Sequence, residues 1–357
     1  SGQGKNQWQT KNRKAERKNS AGNDQEQEDQ KRRVVLRADN DALPIQEAND
    51  VPYKSKNPGI SHKCGHDGHT ANLLGTARIL HELRNEWEGT IVCIWEPHEE
   101  VLPGGAPSLI EAGVLDGASA CIGLHVDPKL HIGTIGIKSG PYMASIDELH
   151  VTCIGKGAHG GSGVHESKDP ILAQAYLLVA LEQLKAHNCN SLTPMALSFG
   201  RVEGGNACNV IPDTVRLLGT LRTLDDEWRN RAHTRLIEIA EGVSKMTGVS
   251  IDFHIKKGHP VVVNDPDLTN LVKNAATEII GAEQVINLQE WLASESFAHY
   301  GKVVPSVFIR LGVRNEVRGM TYGLHTALFD IEEEAFKTGT QVMTYAALNA
   351  LAVSMTK

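Results

Sequence analysis

An alternation of short apolar runs with helix-like segments constrains the fold of this chain more than any other feature. Apolar runs begin at Val34, Thr90 and Ala120, and segments with helical spacing of apolar residues lie at about 66–83 and 107–112. Strands that alternate with helices bury both faces of a sheet when the connections cross over it. The pattern therefore predicts an α/β domain built on a mainly parallel sheet.

The pattern changes near residue 145. Strand-like runs and two long helical segments then follow one another in the order β-α-β-β-α-β, up to about residue 256. This order is typical of a small antiparallel α+β module, ferredoxin-like, with its helices on one face. From there to the end of the chain the α/β pattern returns. We therefore predict a larger domain of residues 34–144 and 257–357, into which a module of residues 145–256 is inserted.

Composition and charge exclude several classes of protein. The chain has 357 residues, enough for about two domains. It contains no apolar run of about 18 residues, so we predict no membrane span and no membrane partner. A net charge of −7 and an isoelectric point near 6.1 argue against a nucleic-acid partner. Six cysteines in so long a chain are not a disulfide framework, which favours a reduced, cytoplasmic setting.

Residues 1–33 differ from the rest of the chain. Their nine Lys/Arg and five Asp/Glu give a net charge of +4, which leaves −11 on the other residues. The segment has no Val, Ile, Leu, Met or Phe, so it can bury too little apolar surface to offset the entropy of ordering. We expect a disordered polar tail, without the apolar stretch of a signal peptide.

Groups of His, Cys, Asp and Glu stand where predicted strands end or a helix begins. The groups are Asp39 and Asp41; Cys64, His66 and Asp67; Glu99 and Glu100; and the separate His125 and His325. In open α/β sheets, ligands bind beyond the carboxyl ends of the strands. We therefore expect these side chains to converge on one site.

The chemistry of these side chains suits metal-assisted hydrolysis. Thiolate, imidazole and carboxylate together match zinc or another borderline divalent ion. Cys64 and His66 lie two residues apart on a glycine-containing turn, so both can face one ion. Of the adjacent Glu99 and Glu100, one can ligate a metal while the other takes a proton from water. Taken singly, each residue also has a structural explanation, such as helix capping, a solvated acidic pair or a buried structural histidine.

Eight motifs occur in an order that resembles one known family. They are RADNDALPIQE, CGHDGHT, PHEE with a following GGA, GLHV, GKGAHGG, NVIPD, SESFAHY and YGLHTALFD, and they span about residues 34–352. The series resembles the aminoacylase, hippurate hydrolase and auxin-conjugate (IAA-amino acid) hydrolase family. These amidohydrolases are related to carboxypeptidase G and to other co-catalytic metallopeptidases. The resemblance implies a zinc-peptidase-like catalytic domain with an inserted lid and dimerisation domain.

The resemblance assigns five residues to a centre with two divalent metal ions. Cys64 matches the ligand that bridges the ions, and His66 and His125 complete the shell of one of them. Glu100 and His325 match the ligands of the second ion. Zinc or manganese is the expected metal, and cobalt and nickel suit the same donors.

The resemblance also implies roles for residues that do not hold metal. Glu99 matches the general base that takes the proton of the attacking water. Asp39, Asp41 and Asp67 would orient or support the ligands.

Three residues of the inserted module complete the expected site. His159 matches the lid histidine that stabilises the tetrahedral oxyanion, often in the site of the partner subunit. Asn209 matches a lid residue near the substrate. Arg222 is a candidate for the substrate carboxylate, or else a surface charge at the edge of a strand.

The chain departs from the family pattern at several points. Asn40 stands where the family has an apolar Met, and Ser296 replaces an Asp. The family also has a helix and strands before its first motif, and in this chain the polar segment 1–33 stands in that place. We therefore expect exposed apolar surface or an unpaired sheet edge in the larger domain.

Together these features predict a hydrolase that cleaves the amide of small N-acylated amino acids and forms a homodimer through its lid. A dipeptidase, a carboxypeptidase or an N-acetyl-diaminopimelate deacetylase of the same clan is an alternative. A metal-free thiol hydrolase that uses Cys64 with a histidine is another. A non-catalytic binding protein is the third.

Overall fold

Strands and helices alternate along most of the chain, as the sequence predicts. The structure of the protein is a computed structural model that describes residues 33–353. In chain order, the strands are β1 (Arg33–Asp39), β2 (Thr90–Glu96), β3 (Ala120–His131), β4 (Ile135–Ile137), β5 (Gly140–Met143), β6 (Ser145–Ile154), β7 (Ala158–His159), β8 (Met195–Glu203), β9 (Val210–Ile211), β10 (Thr214–Thr223), β11 (Ser250–Lys257), β12 (Val262–Asn264), β13 (Val285–Asn287) and β14 (Ser306–Arg314). The α-helices are α1 (His66–Glu82), α2 (Ala106–Glu111), α3 (Pro170–Gln183), α4 (Asp226–Thr247), α5 (Pro266–Ile280), α6 (Ala298–Gly301) and α7 (Ala335–Ala352).

A six-stranded sheet in the order β13-β4-β14-β3-β1-β2 forms the centre of the larger domain. Each pair of neighbours is parallel except β4 and β14, which are antiparallel. This confirms the predicted α/β class. Within the described residues β2 forms one edge of the sheet, and its residues 91–93 are only partly buried.

Both faces of this sheet are covered, which explains why its strands read as apolar runs. On one face Val34 and Leu36 pack with residues of α1, α5 and α7. On the other face Val35 packs with Phe308 and with residues of α2, α6 and β5. The carboxyl ends of the central strands are thereby held in fixed positions at one edge of the sheet.

The inserted module is a four-stranded antiparallel sheet in the order β11-β6-β10-β8. Helices α3 and α4 cover one face of it, with Leu177, Leu181, Leu236 and Trp228 in the shared core. The strands of the module lie between Ser145 and Lys257. On this basis we propose the predicted division, with residues 34–144 and 257–357 around 145–256.

Local capping explains where three of the helices begin. Asp169, Asp225 and Asp265 each accept hydrogen bonds from first-turn amides, at α3, α4 and α5 respectively. Helix α3 ends at Gln183, and the chain continues as one π-helical turn, Leu184–Asn188.

Two expectations concern the ends of the chain and the membrane. The predicted disorder of 1–33 lies outside the described residues, except that Arg33 begins β1. None of the helices in residues 33–353 combines the length and the apolar character needed to cross a membrane.

Candidate metal centre

The parallel strands β1, β2 and β3 bring the predicted groups to one edge of the sheet. Asp39 at the end of β1 pairs in register with Glu96 at the end of β2, and Glu99 and Glu100 follow in the next turn. Arg37 pairs with Gly123 of β3, which places His125 level with Asp39. The convergence predicted from strand ends is therefore present.

Among the described residues four sets of ligand atoms lie close enough to bind metal, and Cys64 belongs to two of them. The atoms of Cys64, His66 and His125 lie within 4.8 Å of one another, as do those of Cys64, Glu100 and His325. The Cys64 Sγ is 3.4 Å from His125 Nε2 and 3.3 Å from His325 Nε2. The grouping is the one that the sequence predicts for a pair of ions sharing a thiolate.

Hydrogen bonds to the second ring nitrogen orient two of the histidines. The Nδ1 of His66 lies 3.0 Å from Asp41 Oδ1, and that of His125 lies 2.7 Å from the Val126 carbonyl oxygen. Both partners are acceptors, so each Nδ1 carries the proton. A metal-ligating histidine ordinarily donates this proton to a carboxylate or carbonyl, which directs Nε2 at the ion. Both Nε2 atoms face the cluster.

Unpartnered buried atoms show that a cation fits this cluster. His66 Nε2 and Glu100 Oε1 are buried and make no hydrogen bond among the described residues, although Glu100 Oε1 lies 3.3 Å from His325 Nε2 and His66 Nε2 lies 3.7 Å from Asp39 Oδ2. Leaving such groups unpaired costs about 1–3 kcal/mol each. Burial opposes the charge on His66, but Asp39 and Asp41 outweigh it and raise the pKa of this imidazole to about 9. The cluster therefore demands positive charge, and its S, N and O donors suit a borderline divalent ion.

The environment of Cys64 argues against a metal-free thiolate nucleophile. Burial, together with Glu100 and Glu99, raises the pKa of the thiol well above its ordinary value. Reactive cysteines have a lowered pKa and lie in electropositive surroundings. Cys64 becomes a thiolate here only if cations offset the carboxylates.

Backbone strain marks two of the segments that carry ligands. His98, which precedes Glu99 and Glu100, has a φ of 59°, and His325 has a φ of 60°. Non-glycine residues rarely adopt this left-handed region, and at functional sites the surrounding structure enforces it. The amide of His325 donates to the Lys63 carbonyl at 2.6 Å, which ties this ligand to the segment that carries Cys64.

Asp41 and Asp39, the two predicted supporting residues, contact the segments that carry the proposed ligands in different ways. Asp41 accepts from His66 through one oxygen and from the Glu100 amide, at 3.0 Å, through the other. Asp39 lies 2.5 Å from Nδ1 of His69 and accepts from Arg37 at 2.8 Å. Asp41 thus connects two ligand segments directly, while Asp39 acts through a buried network.

Glu99, the residue predicted to be the general base, is buried beside the proposed ligands. One of its oxygens lies within 4.8 Å of ligand atoms of His66 and Glu100. Its Oε1 accepts from the Ser296 amide at 3.1 Å. Burial, with nearby Glu295 and Asp39, raises the pKa of Glu99 well above its usual range.

Sequence reasoning missed the buried network behind Glu99. Arg37 is fully buried and donates to Asp39, Glu96 and Glu295 at 2.8, 2.8 and 3.0 Å. The Ser296 hydroxyl donates to Glu96 at 2.6 Å, so it joins this network where the family has a carboxylate. A charged residue inside the apolar run of β1 was the available signal.

Some predicted residues lie away from the cluster. Asp67 is exposed on the first turn of α1, where it accepts a hydrogen bond from the Gly68 amide. Its described hydrogen bond involves no proposed ligand, so the expected supporting role is not seen. Asn40 is exposed, and its amide donates to the Glu96 carbonyl, so no apolar packing depends on it. Arg222 donates to the Leu292 carbonyl at 2.9 Å, where the module meets the larger domain.

The two lid residues lie next to each other. His159 of β7 pairs in register with Val210 of β9, and the Gly160 amide donates to the Asn209 carbonyl at 2.8 Å. Within residues 33–353, none of the hydrogen bonds of His159 involves a residue of the metal cluster. The structure therefore brings His159 and Asn209 together in the inserted module, and the described hydrogen bonds of His159 are local.

The fold and the site define a class of protein: a metal-dependent hydrolase whose ligands follow the strand ends of an α/β domain and whose inserted module carries further polar groups. A model of peptidase family M20/M25/M40 matches residues 35–349. The chain belongs to this family, and it is a hydrolase that acts on amides.

Three relatives illustrate the match. The N-acetyl-L-cysteine deacetylase of Bacillus subtilis is 40% identical over 85% of this chain and 70% of its own length. The IAA-amino acid hydrolase ILR1-like 4 of Arabidopsis thaliana is 36% identical over 86% of this chain and 70% of its own. The solved YXEP protein of Bacillus subtilis, described as a dinuclear metal binding peptidase from the M20 family, superposes with a TM-score of 0.76. It is 34% identical and covers 91% of this chain and 82% of its own. The family resemblance read from the motifs is confirmed.

Proposed function

We propose that the protein hydrolyses the amide bond of N-acyl amino acids and releases a carboxylic acid and a free amino acid. The observation that carries the proposal is the pair of ligand sets that share Cys64 beside the buried Glu99. Divalent ions held by Cys64, His66, His125, Glu100 and His325 would supply Lewis-acid polarisation and a lowered pKa of water.

Glu99 is the proton carrier of the proposed reaction. The Ser296 amide fixes one oxygen of its carboxylate, and none of the described residues hydrogen-bonds the other oxygen. That oxygen can accept the proton of the attacking water and deliver it to the nitrogen of the leaving amine. Its buried surroundings exclude bulk water, which would otherwise exchange this proton.

The lid supplies the group that stabilises the oxyanion. The Nδ1 of His159 accepts from the amides of Gly161 and Ser162 at 3.1 and 3.2 Å, so the proton of the neutral ring is on Nε2. A donor held in this way is preorganised for negative charge that develops on a carbonyl oxygen. We assign Asn209, which lies beside His159, to the substrate and leave Arg222 as the weaker candidate for the substrate carboxylate.

The metal, the assembly and the compartment belong to the same proposal. The thiolate favours zinc, and manganese is the second choice, since the donors also include carboxylate. Strand β8 lies at an edge of the lid sheet, and its free backbone groups can pair with the same edge of a second copy. The six cysteine thiols are unpaired, which supports a reducing compartment such as the cytoplasm.

The similarity to the N-acetyl-L-cysteine deacetylase supports amino acids with short acyl groups, rather than peptides, as the substrates of this protein. The description of the YXEP protein as a peptidase keeps a dipeptidase or carboxypeptidase activity as the second candidate. A panel of acetyl-, benzoyl- and indoleacetyl-amino acids, of dipeptides and of N-acetyl-diaminopimelate separates the two.

The test is hydrolysis of this panel before and after exhaustive chelation, with zinc or manganese added back. We expect turnover of N-acyl amino acids that chelation abolishes and metal restores. Activity that resists chelation, or turnover of dipeptides alone, would contradict the proposal.

A further inference from the structure

A cavity of about 480 Å³ is lined by residues that neighbour two of the proposed metal ligands in sequence. Asp127 of its wall follows the ligand His125 by two residues, and Leu324 directly precedes the ligand His325. Residues of β3, β5 and β14, of the segment after β13 and of the loop before His325 form the walls. We call it the Arg310 cavity, and its lining includes Asp127, Lys129, Tyr142, Trp291, Arg310 and Leu324.

The Arg310 cavity contains a buried guanidinium. Arg310 is 1% exposed, and on β14 it pairs in register with the ligand His125 of β3. Its Nε donates to the Tyr142 hydroxyl at 2.9 Å, and its Nη2 lies 3.1 Å from the sulfur of Met143. Both partners are neutral, and the sulfur is a weak acceptor. Most of the five donors of this guanidinium therefore lack a strong acceptor.

Among the described residues, Arg310 forms no ion pair with a carboxylate. Two acidic side chains line the same cavity, but each has another partner: Asp127 accepts from the Lys129 amide at 2.8 Å, and Glu290 lies 3.6 Å from the Lys138 ammonium. Lys129 adds a second positive charge above the Trp291 ring, 5.5 Å from its centroid. The carboxylates of Asp127 and Glu295 act on Arg310 only from a distance, and the guanidinium has no directly paired carboxylate among the described residues.

Aromatic rings surround the guanidinium without neutralising it. Its carbon lies 5.0, 5.4 and 5.8 Å from the centroids of Trp291, Phe308 and Tyr142. Such contacts stabilise a cation and fix its plane, but they supply no hydrogen-bond acceptor. Burying a guanidinium without a direct ion pair is costly, and the planar fork of a guanidinium matches the two oxygens of a carboxylate.

We propose that the Arg310 cavity binds a carboxylate of the substrate between apolar walls, and that Arg310 determines the preference for that carboxylate. This inference rests on the proposed hydrolysis of N-acyl amino acids, and it narrows the substrate class. The carboxylate is the α-carboxylate of the amino acid, a side-chain carboxylate, or the free end of a dicarboxylic acyl group. The test separates these three sources.

The experiment compares the wild type with Arg310→Met on three substrate pairs that differ in one carboxylate. The pairs are N-acetyl-methionine and its primary amide, N-acetyl-glutamate and N-acetyl-glutamine, and N-succinyl-alanine and N-butyryl-alanine. We expect the wild type to prefer the carboxylate member of one pair, and Arg310→Met to reduce that preference in kcat/KM by about 30-fold or more. The affected pair identifies the source of the carboxylate.

Control variants separate this role from a structural one. Arg78 on α1 is exposed and paired with Glu82, so Arg78→Met should leave every preference unchanged. Arg310→Lys, which keeps the charge but not the planar fork, should retain part of the preference and serves if the methionine variant does not fold. A uniform loss on all six compounds, or no change in any pair, would overturn the inference.

Calorimetry makes the outcome independent of turnover. The same six compounds are titrated into zinc-loaded Glu99→Gln with and without Arg310→Met. If Arg310→Met abolishes binding of the carboxylate member of one pair, the inferred role of Arg310 is supported, even if the wild type hydrolyses none of the compounds. A lack of hydrolysis would count against the proposed function alone. Equal binding to both proteins would overturn the inference even if the wild type is active.

Discussion

At the scale of single residues, the hydrogen-bond partners of the two ring nitrogens show which histidines can ligate a metal and which only support the site. His66 and His125 donate from Nδ1 and leave Nε2 facing the cluster. His69 lies as close, with its ring centroid 4.3 Å from that of His125, but its Nε2 accepts from the Val126 amide at 2.9 Å. Both nitrogens of His69 are therefore engaged, and it acts as a support. The CGHDGHT motif contains both His66 and His69, and the sequence alone does not distinguish the ligand from the support.

Asp41→Asn tests the support that joins two ligand segments. The amide cannot accept equally well from both His66 and the Glu100 backbone, so the ligands lose their fixed orientation. We expect metal affinity to fall by about 10- to 100-fold, measured by competition with a chelating dye. Asp67→Asn is the matched comparison, because that carboxylate is exposed, and it should change affinity less than about twofold. Equal effects of the two substitutions would contradict the assignment of Asp41.

Glu99→Gln tests the proton carrier. Glutamine has nearly the same shape but cannot take up a proton, so we expect kcat to fall by about 10²- to 10⁴-fold. Metal content, measured by elemental analysis, should stay the same, because Glu99 is not one of the five assigned ligands. Substantial residual turnover, or loss of metal, would contradict this role.

At the scale of secondary structure, one ion-pair cluster fastens helix α4 to the lid sheet. Asp147 of β6 is fully buried and accepts from Arg229 of α4 at 2.6 Å and from His233 at 2.6 Å. Burial opposes the charge of Asp147, but these partners outweigh it and lower its pKa to about 2. Arg229 and His233 are separated from Asp147 by 82 and 86 positions in the sequence, so contacts between distant segments determine how the helix lies on the sheet.

Asp147→Asn should destabilise the protein by about 2–3 kcal/mol at pH 6, because it leaves the Arg229 guanidinium without its buried counter-charge and because the lowered pKa of Asp147 corresponds to a difference of this size. The folded pKa lies below the ordinary value of about 3.9, so the stabilisation is complete above that value and disappears as the pH falls towards 2. Urea unfolding of wild type and variant should therefore converge between about pH 4 and pH 2. Arg235→Gln, which breaks an exposed pair with Glu238 on the same helix, should change stability by less than about 0.5 kcal/mol. A difference between wild type and Asp147→Asn that does not vary with pH would contradict this account.

The long elements follow from the sequence, and the short ones do not. The main strands and helices have apolar periodicity of their own, and the structure confirms them to within a few residues. The short strands β4, β5, β12 and β13 are stabilised by distant pairing, for example Val262 with Met143, and carry no periodic signal. Arg37 and Arg310 stand out as charges inside apolar runs, but the sequence does not give most of their partners, because these come from distant segments.

At the scale of the whole molecule, we propose a site completed across a dimer, since His159 makes no hydrogen bond to the metal cluster within residues 33–353. Mixing Glu99→Gln protein with His159→Ala protein tests this. If His159 acts in the site of the partner subunit, each mixed dimer regains one intact site, which is roughly a quarter of wild-type activity after free exchange. Sedimentation should give twice the chain mass of 38.8 kDa. No recovery in proven mixed dimers would show that His159 acts within its own chain.

The five proposed ligands were accessible to sequence reasoning through the family motifs, and for Cys64, His66 and Glu100 also through their places next to a helix start or a strand end. His125 lies inside β3, and His325 lies in the loop between β14 and α7. The three histidines around Cys64 in the HKCGHDGHT segment further indicated a metal site. Contacts that arise only in three dimensions were not accessible, such as the Ser296 amide on Glu99 or the exposure of Asp67. The Arg310 cavity belongs to this second kind.

The central claim is that five side chains from Cys64 to His325 hold a pair of cations through a shared thiolate. The most direct measurement is the metal content per chain of the wild type and of Cys64→Ala, by elemental analysis after removal of loosely bound ions. We predict two ions in the wild type and loss of both in the variant, since Cys64 belongs to both ligand sets. A wild type that holds no metal, or a Cys64→Ala variant that retains two ions, would contradict the account.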